Sequence, residues 1–151
     1  MDYVFHFGPV LKQWPLLLWG LQRTLELSVM SMVFGLAIGV LGAIGKVFGP
    51  RPVKAAVKGY VELIRNTPLL IQLYFIFFTL PFVGLRLSSD TAAVVALSIH
   101  LGAYATEIVR AGIESIPAGQ IEAGRSLGLS GGRIVRHIVL KPAIRAVYPA
   151  L

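Results

Sequence analysis

Three long apolar runs, separated by stretches where charges return, set the plan of this chain. Between Glu26 and Lys46 lie 19 residues without a charge, LSVMSMVFGLAIGVLGAIG. A helix rises about 1.5 Å per residue, so about 20 residues cross a hydrocarbon core about 30 Å thick. The run therefore predicts a first span over about residues 25–46. Between Arg65 and Arg86 lie 20 more, NTPLLIQLYFIFFTLPFVGL, which predict a second span over about 67–86. Pro68 and Pro81 fall near its ends, where proline disturbs a helix least. The third run, TAAVVALSIHLGAYAT from Thr91 to Thr106, has 16 residues. Extended by a turn it predicts a span over about 89–108, with Glu107 and Arg110 reaching the interface.

After the third span the pattern changes, and charges, glycines and apolar residues alternate at helical spacing over about 109–145. Two short helices joined by a turn are predicted there. Pro117 suits the first turn of a helix, where no backbone N–H is needed, and Gly128 suits the residue past its end, where a left-handed backbone is required. Ser130 is placed to cap the second helix, which carries Arg133, Arg136 and His137 before Pro142 interrupts it. The fold class expected is an all-α membrane protein: three transmembrane helices and a helix-turn-helix loop in one transmembrane domain. Within the first span Gly35 and Gly39 form a small-x-x-x-small pair that Gly42 and Gly45 continue, marking a helix built for close packing in a bundle or dimer.

Composition supports this plan. Of the 151 residues, 56% are hydrophobic and 14% charged, whereas a water-soluble domain carries about 25% charged residues. The net charge of +7 does not point to nucleic acid, because the basic residues flank apolar runs instead of gathering on one polar face. Eleven of the 14 Lys and Arg lie in two places: Lys46 to Arg65 between spans one and two, and Arg110 to Arg145 after span three. By the positive-inside rule both regions face the cytoplasm, which leaves the N-terminus and the Leu80–Asp90 loop outside. The N-terminal residues lack a basic segment and a cleavage site, so no removed signal peptide is expected. With no cysteine in the chain, a disulfide framework is excluded.

Polar groups inside the spans are candidates for a substrate path. His100 is ionisable and lies within the third span, so it either lines a pathway or is a neutral histidine bonded to a neighbouring helix. Thr67, Gln72, Ser98 and Tyr104 are the other candidates. Glu62 with Arg65, and Glu107 with Arg110, share an i,i+3 spacing that suits interfacial ion pairs worth a few tenths of a kcal/mol, about 0.3 each. The histidines His6, His100 and His137 fall on different sides of the expected membrane, so neither a metal cluster nor a catalytic triad is expected.

The run IEAGRSLGLS, followed by IVLKP, resembles the EAA loop of binding-protein-dependent ATP-binding-cassette importer permeases. YVELIRNTPLLIQLYFIFFTLP and LSIHLGAYATEIVRAGIESIPAGQIEAGRSLG resemble the corresponding segments of permeases for polar amino acids, of the histidine, glutamine and glutamate type. The resemblance runs from about Leu21 to Leu151. It implies that Glu122, Ala123, Gly124 and Gly128, with Gln120 and Leu127, form a coupling helix and its turn that dock on a cytoplasmic ATPase subunit. Gly124 stands where the family pattern has alanine, and Pro142 comes one residue late. The resemblance further implies an inner-membrane permease working as a homodimer or a heterodimer with a paralogue. A solute-binding protein outside the cytoplasm would deliver an amino acid to it. No cofactor is expected in this chain, since ATP is used by the partner ATPase. Such permeases continue for two further spans, so a partial version of a five-helix bundle is expected, as a fragment or a natural truncation. The alternative is a permease-like membrane adaptor without transport activity.

Leu129–Gly132 spells LSGG, the core of the nucleotide-contacting signature of ATP-binding-cassette ATPases. That signature works with a phosphate-cradling G-x-x-x-x-G-K-[ST] loop, which the sequence does not contain. The four letters read as turn chemistry. The predicted topology is tested with an impermeant thiol reagent on intact cells: Ser88→Cys is expected to be labelled and Ser130→Cys protected, and the reverse would invert the orientation.

Overall fold

The computed structural model describes residues 8, 12–140 and 142. Every regular element among them is helical. Helix α1 spans Trp14–Phe48, α2 Arg51–Arg65, α3 Leu69–Tyr74, α4 Ser89–Glu114, α5 Ala118–Ser126 and α6 Gly131–Ile134. A π-helical turn, Phe75–Thr79, and a 3-10 turn, Leu80–Val83, extend α3, and a second π-helical turn, Val135–Val139, extends α6. The N-terminal residues that include His6, and the loop end from Lys141 onward apart from Pro142, lie outside the described residues.

Proline sets where these helices begin. Pro15 sits in the first turn of α1, Pro52 in that of α2, and Pro68 immediately precedes α3, all places where the absent N–H has no partner to lose. Helix α4 starts differently: the Ser88 hydroxyl accepts a hydrogen bond from the Thr91 N–H at 3.2 Å, and Asp90 lies in the positive first turn.

Helices α1 and α4 make the largest contact of the molecule, through small residues. The buried positions of α1, Ser31, Gly35, Gly39 and Ala43, recur every fourth residue and form one stripe. A Cβ added to Gly35 would lie 2.8 Å from a Leu101 methyl, and one on Gly39 or Gly42 would overlap Ala105 or Thr106. Gly102 reciprocates, with 2.6 Å from such a Cβ to a methyl of Ile38. Without glycine at these positions the two backbones could not approach this closely. Leu25, Met32, Phe34 and Leu41, away from the stripe, stay exposed. In lipid such side chains are already in an apolar solvent, so packing rests on backbone proximity.

The facing pairs Ser31 with Ser98, Gly35 with Leu101, and Gly39 with Ala105 rise together in number, so α1 and α4 run parallel. Two parallel spans require the chain between them to return across the same thickness. It does so in two pieces: α2, and the 15 residues from Leu69 to Val83, which meet at a bend of 105°. The stretch expected as a span at 67–86 is helical from Leu69 to Val83, and the basic segment before it is the helix α2, set off by a break at residues 66–68. Thr67 precedes a proline and is pushed out of the helical region, which forces the break before α3. Among the described residues two helices are long and apolar enough to cross a membrane, and three if the bent pair counts as one span.

Proline also explains both π-helical turns. The ring of Pro81 would strike the carbonyl of Phe77, and that of Pro142 the carbonyl of Ile138. Both carbonyls lie inside the π-helical segments, where the wider turn makes room. Pro142 itself is helical, so it does not end the second loop helix where the sequence suggests. Gly39→Leu is expected to destabilise the fold by about 1–3 kcal/mol, the range of overpacking, measured as the midpoint of denaturant unfolding in micelles. Gly20→Leu, with open space around it, is expected to change it by no more than about 0.5 kcal/mol.

Candidate functional site

Two features lie outside the α1–α4 packing: the α5–α6 hairpin, and the polar groups at the break in the second span. The hairpin is anchored from below. Ile116 and Ile134 join Ala43 of α1 and Ile113 of α4 in one buried cluster, with Ile121, Leu129 and Ile138 packed on it. Its turn is closed by backbone bonds, from the Gly128 N–H to the Arg125 carbonyl at 2.9 Å and from the Leu129 N–H to the Gly124 carbonyl at 3.1 Å. This double closure needs a left-handed residue, and Gly128 has φ +73°.

Among the expected coupling residues, Gln120, Glu122, Ala123 and Leu127 are exposed, Leu127 with 80% of its surface free. Gly124 is buried, and a Cβ there would lie 2.5 Å from the Ile138 side chain. Its small size serves the closeness of the two hairpin arms. Ser130 stands before α6, but its side chain makes no capping bond; its carbonyl alone engages, accepting from the Ile134 N–H at 3.0 Å. The LSGG letters thus span a turn and the start of a four-residue helix.

Four of the five expected path residues gather at the break. The Gln72 amide donates to the Ile64 carbonyl at 2.8 Å and the Thr67 carbonyl at 3.0 Å, and lies 2.9 Å from the Thr67 hydroxyl. The Thr67 hydroxyl donates to the Leu63 carbonyl at 2.9 Å. Because three oxygens surround the Gln72 nitrogen, its own oxygen must face His100, whose Nδ1 is 3.2 Å away and must carry the proton. The network replaces hydrogen bonds that the broken helix gives up, where hydrocarbon offers no water. Gln72 and Thr67 are accordingly committed to the break. The Tyr104 ring lies beside that of His100, tilted by 42° with ring centres 5.0 Å apart. Ser98 is turned away from this group, its hydroxyl 3.5 Å from the Ser31 carbonyl on α1. His100 and Tyr104 also border a groove of about 530 Å³ that includes Ser28 and Ser31 of α1.

Charges cluster at the other end of the parallel pair. Glu107 pairs with Arg110 at 3.0 Å, as its spacing suggested, and also with Lys46 across the helix interface. Arg110 continues the row to Glu114. Glu62 departs from expectation: it pairs with Lys58 at 3.7 Å, while the Arg65 guanidinium lies 5.3 Å from the Tyr104 ring centre. The sequence reading missed Lys46 and Arg65 as interhelical groups. Their partners lie far along the chain, and only the positions of Lys46 and Glu107 at the cytoplasmic ends of two expected spans hinted at a meeting.

Comparison with known proteins agrees with this architecture. Residues 29–151 match the profile of the family described as binding-protein-dependent transport system inner membrane component. The chain is 38% identical over 138 residues to the L-cystine transport system permease protein of Bacillus subtilis (strain 168), covering 91% of this chain and 59% of that protein. It is 39% identical over 149 residues to the glutamine transport system permease protein of Escherichia coli (strain K12), covering 97% of this chain and 68% of that protein. The crystal structure of an amino acid ABC transporter with histidines superposes with a TM-score of 0.85 at 37% identity, covering 98% of this chain and 69% of that one. A methionine ABC transporter in inward facing conformations superposes at 0.71 and 28% identity, covering 92% of this chain and 68% of that one. The fold is thus shared with solved transporters over nearly the whole of this chain, and the chain belongs to the family of binding-protein-dependent transport system inner membrane components.

Proposed function

We propose that this chain is a permease subunit of an ABC importer for polar amino acids, and that the exposed face of α5 couples it to a separate ATPase subunit. The observation that carries the reading is the hairpin itself. Gln120, Glu122, Ala123 and Leu127 are held outward on an element whose inner side is fused to the ends of both parallel spans. An exposed leucine beside a carboxylate and an amide is a small amphipathic anchor of the kind that seats a helix in a partner's groove. The named relatives act on cystine and glutamine, which supports an amino-acid substrate.

In this reading the hairpin and the basic ends of α1 and α2 face the cytoplasm of a cell bounded by an inner membrane. A second permease, identical or paralogous, completes the path, and an extracytoplasmic solute-binding protein supplies the amino acid. ATP is bound and hydrolysed by the partner ATPase, whose closure moves the hairpin, while this chain carries out no chemistry and binds no cofactor. Spans packed in two alternative arrangements then expose the path to one side or the other.

The test is co-purification of the detergent-extracted permease with its ATPase. Glu122→Lys and Leu127→Asp are each expected to weaken retention at least about tenfold, equivalent to about 1.4 kcal/mol, while leaving the fold intact. Retention unchanged in both variants would remove α5 as the docking element. Uptake of labelled amino acid that is unaffected by deleting the gene would instead favour the adaptor reading.

A further inference from the structure

Helix α2 carries three faces, and the packing of the molecule uses one of them. At about 3.6 residues per turn, Val57, Tyr60, Val61 and Ile64 fall on one arc. These four are buried or half-buried, against α1 and α4. Arg51, Lys54, Lys58 and Glu62, three or four residues apart, form a charged arc that is exposed throughout. Pro52, Ala56, Gly59 and Leu63, spaced in the same way, form a third arc. It is apolar and it is bare: Leu63 has 64% of its surface free, and nothing lies within 4 Å of a Cβ built on Gly59. The two apolar arcs adjoin, so α2 is amphipathic with about half of its apolar side uncovered by the protein.

The neighbours of α2 fix its level against the spans. Val53 lies 3.2 Å from a Cβ built on Gly45 and 2.9 Å from one built on Gly49, so the first turn of α2 abuts the end of α1. The charge-free run of α1 stops at Lys46, and the Lys46–Glu107 pair marks the same end of α4. Arg51 and Lys54 come just beyond that limit, at the level of lipid headgroups. The Tyr60 hydroxyl instead reaches the Ile99 carbonyl at 2.6 Å, inside the charge-free run of α4. Helix α2 therefore slopes from the headgroups into the hydrocarbon, and the ammonium of Lys58 returns to the headgroups on its flexible stem. Arg51 and Lys54 pair with no carboxylate among the described residues, and Lys58 meets Glu62 only in an exposed pair at 3.7 Å.

We propose that the first turns of α2 form a binding site for anionic phospholipid. Arg51, Lys54 and Lys58 receive the phosphate-bearing headgroup, and the arc of Pro52, Ala56, Gly59 and Leu63 receives the acyl chains. Complementarity selects this occupant, because one molecule that is anionic at its head and apolar in its tail matches both bare arcs at their respective depths. An acidic protein would match the charged arc alone. A second copy of this chain docked through its own α2 would set the same cations against these. The inference rests on the spans and not on the importer reading.

The test uses the full chain in bilayers of equal parts phosphatidylglycerol and phosphatidylcholine, with a trace of either lipid carrying a spin label. Electron spin resonance reads the fraction of each label immobilised at the protein. The wild type is expected to prefer labelled phosphatidylglycerol about threefold, with the preference falling as salt screens the charges. Arg51→Gln, Lys54→Gln and Lys58→Gln combined are expected to abolish it, while Arg133→Gln with Arg136→Gln, on the hairpin, leaves it in place. Because the chain has no cysteine, the arcs can also be read singly. A nitroxide attached at Gly59→Cys is expected to collide more with oxygen, which dissolves in hydrocarbon, than with a water-soluble nickel chelate, and one at Lys54→Cys the reverse. No preference in the wild type, a preference that survives the α2 variant, or one lost equally in the hairpin variant overturns the site. So does a Gly59 label shielded from both reagents, which would put a protein such as a second copy on the arc, or one reached mainly by nickel, which would put the arc in water.

Discussion

The close approach of α1 to α4 is the constraint on which the remaining geometry depends. Ser31, Gly35, Gly39 and Ala43 let two backbones come together where larger side chains would hold them apart. Because the two helices run parallel, the intervening chain must cross back. It must do so around a pair already packed along much of its length, so the return segment lies against the flank of α4 and bends. The bend is thus tied to the order of the spans, and the polar groups that repair it follow from the bend.

An interrupted helix in hydrocarbon leaves carbonyls without partners, and each would cost several kcal/mol, about 2–7, if left so. Gln72 answers this cost at the break by donating to the Thr67 carbonyl and adding to the 3.3 Å bond that the Ile64 carbonyl accepts from the Thr67 N–H. Its oxygen then holds His100, which joins the repaired break to α4. A histidine that sequence marks as a pathway candidate is here also an interhelical tether. The two roles are compatible, since only Nδ1 is used in the tether.

The legible parts of the sequence were those set by local or periodic rules. Charge-free runs marked α1 and α4, the spacing of Gly35 and Gly39 marked the packing stripe, and Gly128 marked a left-handed turn. The break before α3 falls at the edge of the charge-free run, where Thr67–Pro68 carries the steric signal for a helix boundary. Helix α2 was not read from the sequence, although its charges recur at the helical spacing of three or four in Arg51, Lys54, Lys58 and Glu62. The reason for a small residue at Gly124 lay outside the loop pattern, since its smallness answers to Ile138 on the opposite arm of the hairpin. Arg65 was assigned to Glu62 on spacing alone, which cannot weigh a ring supplied by another helix. Pairings between distant segments are where single-sequence reading stops.

The same packing explains how a movement of the hairpin would reach the spans. Ile116 and Ile134 are buried with Ala43 and Ile113, so the hairpin shares its apolar core with α1 and α4 instead of hanging from a linker. Lys46 and Glu107 join the two spans just above that core, and Arg110 extends the tie toward Glu114 at the end of α4. Densely packed interiors respond by shifting between discrete arrangements, not by yielding gradually. A displacement applied at α5 would therefore carry α1 and α4 together. Helix α2, joined to α4 through Tyr60 and through the Gln72 network beyond its end, is left as the element against which that pair can turn. The break lies where these bonds meet α4, beside the groove bordered by Arg65 and Tyr104.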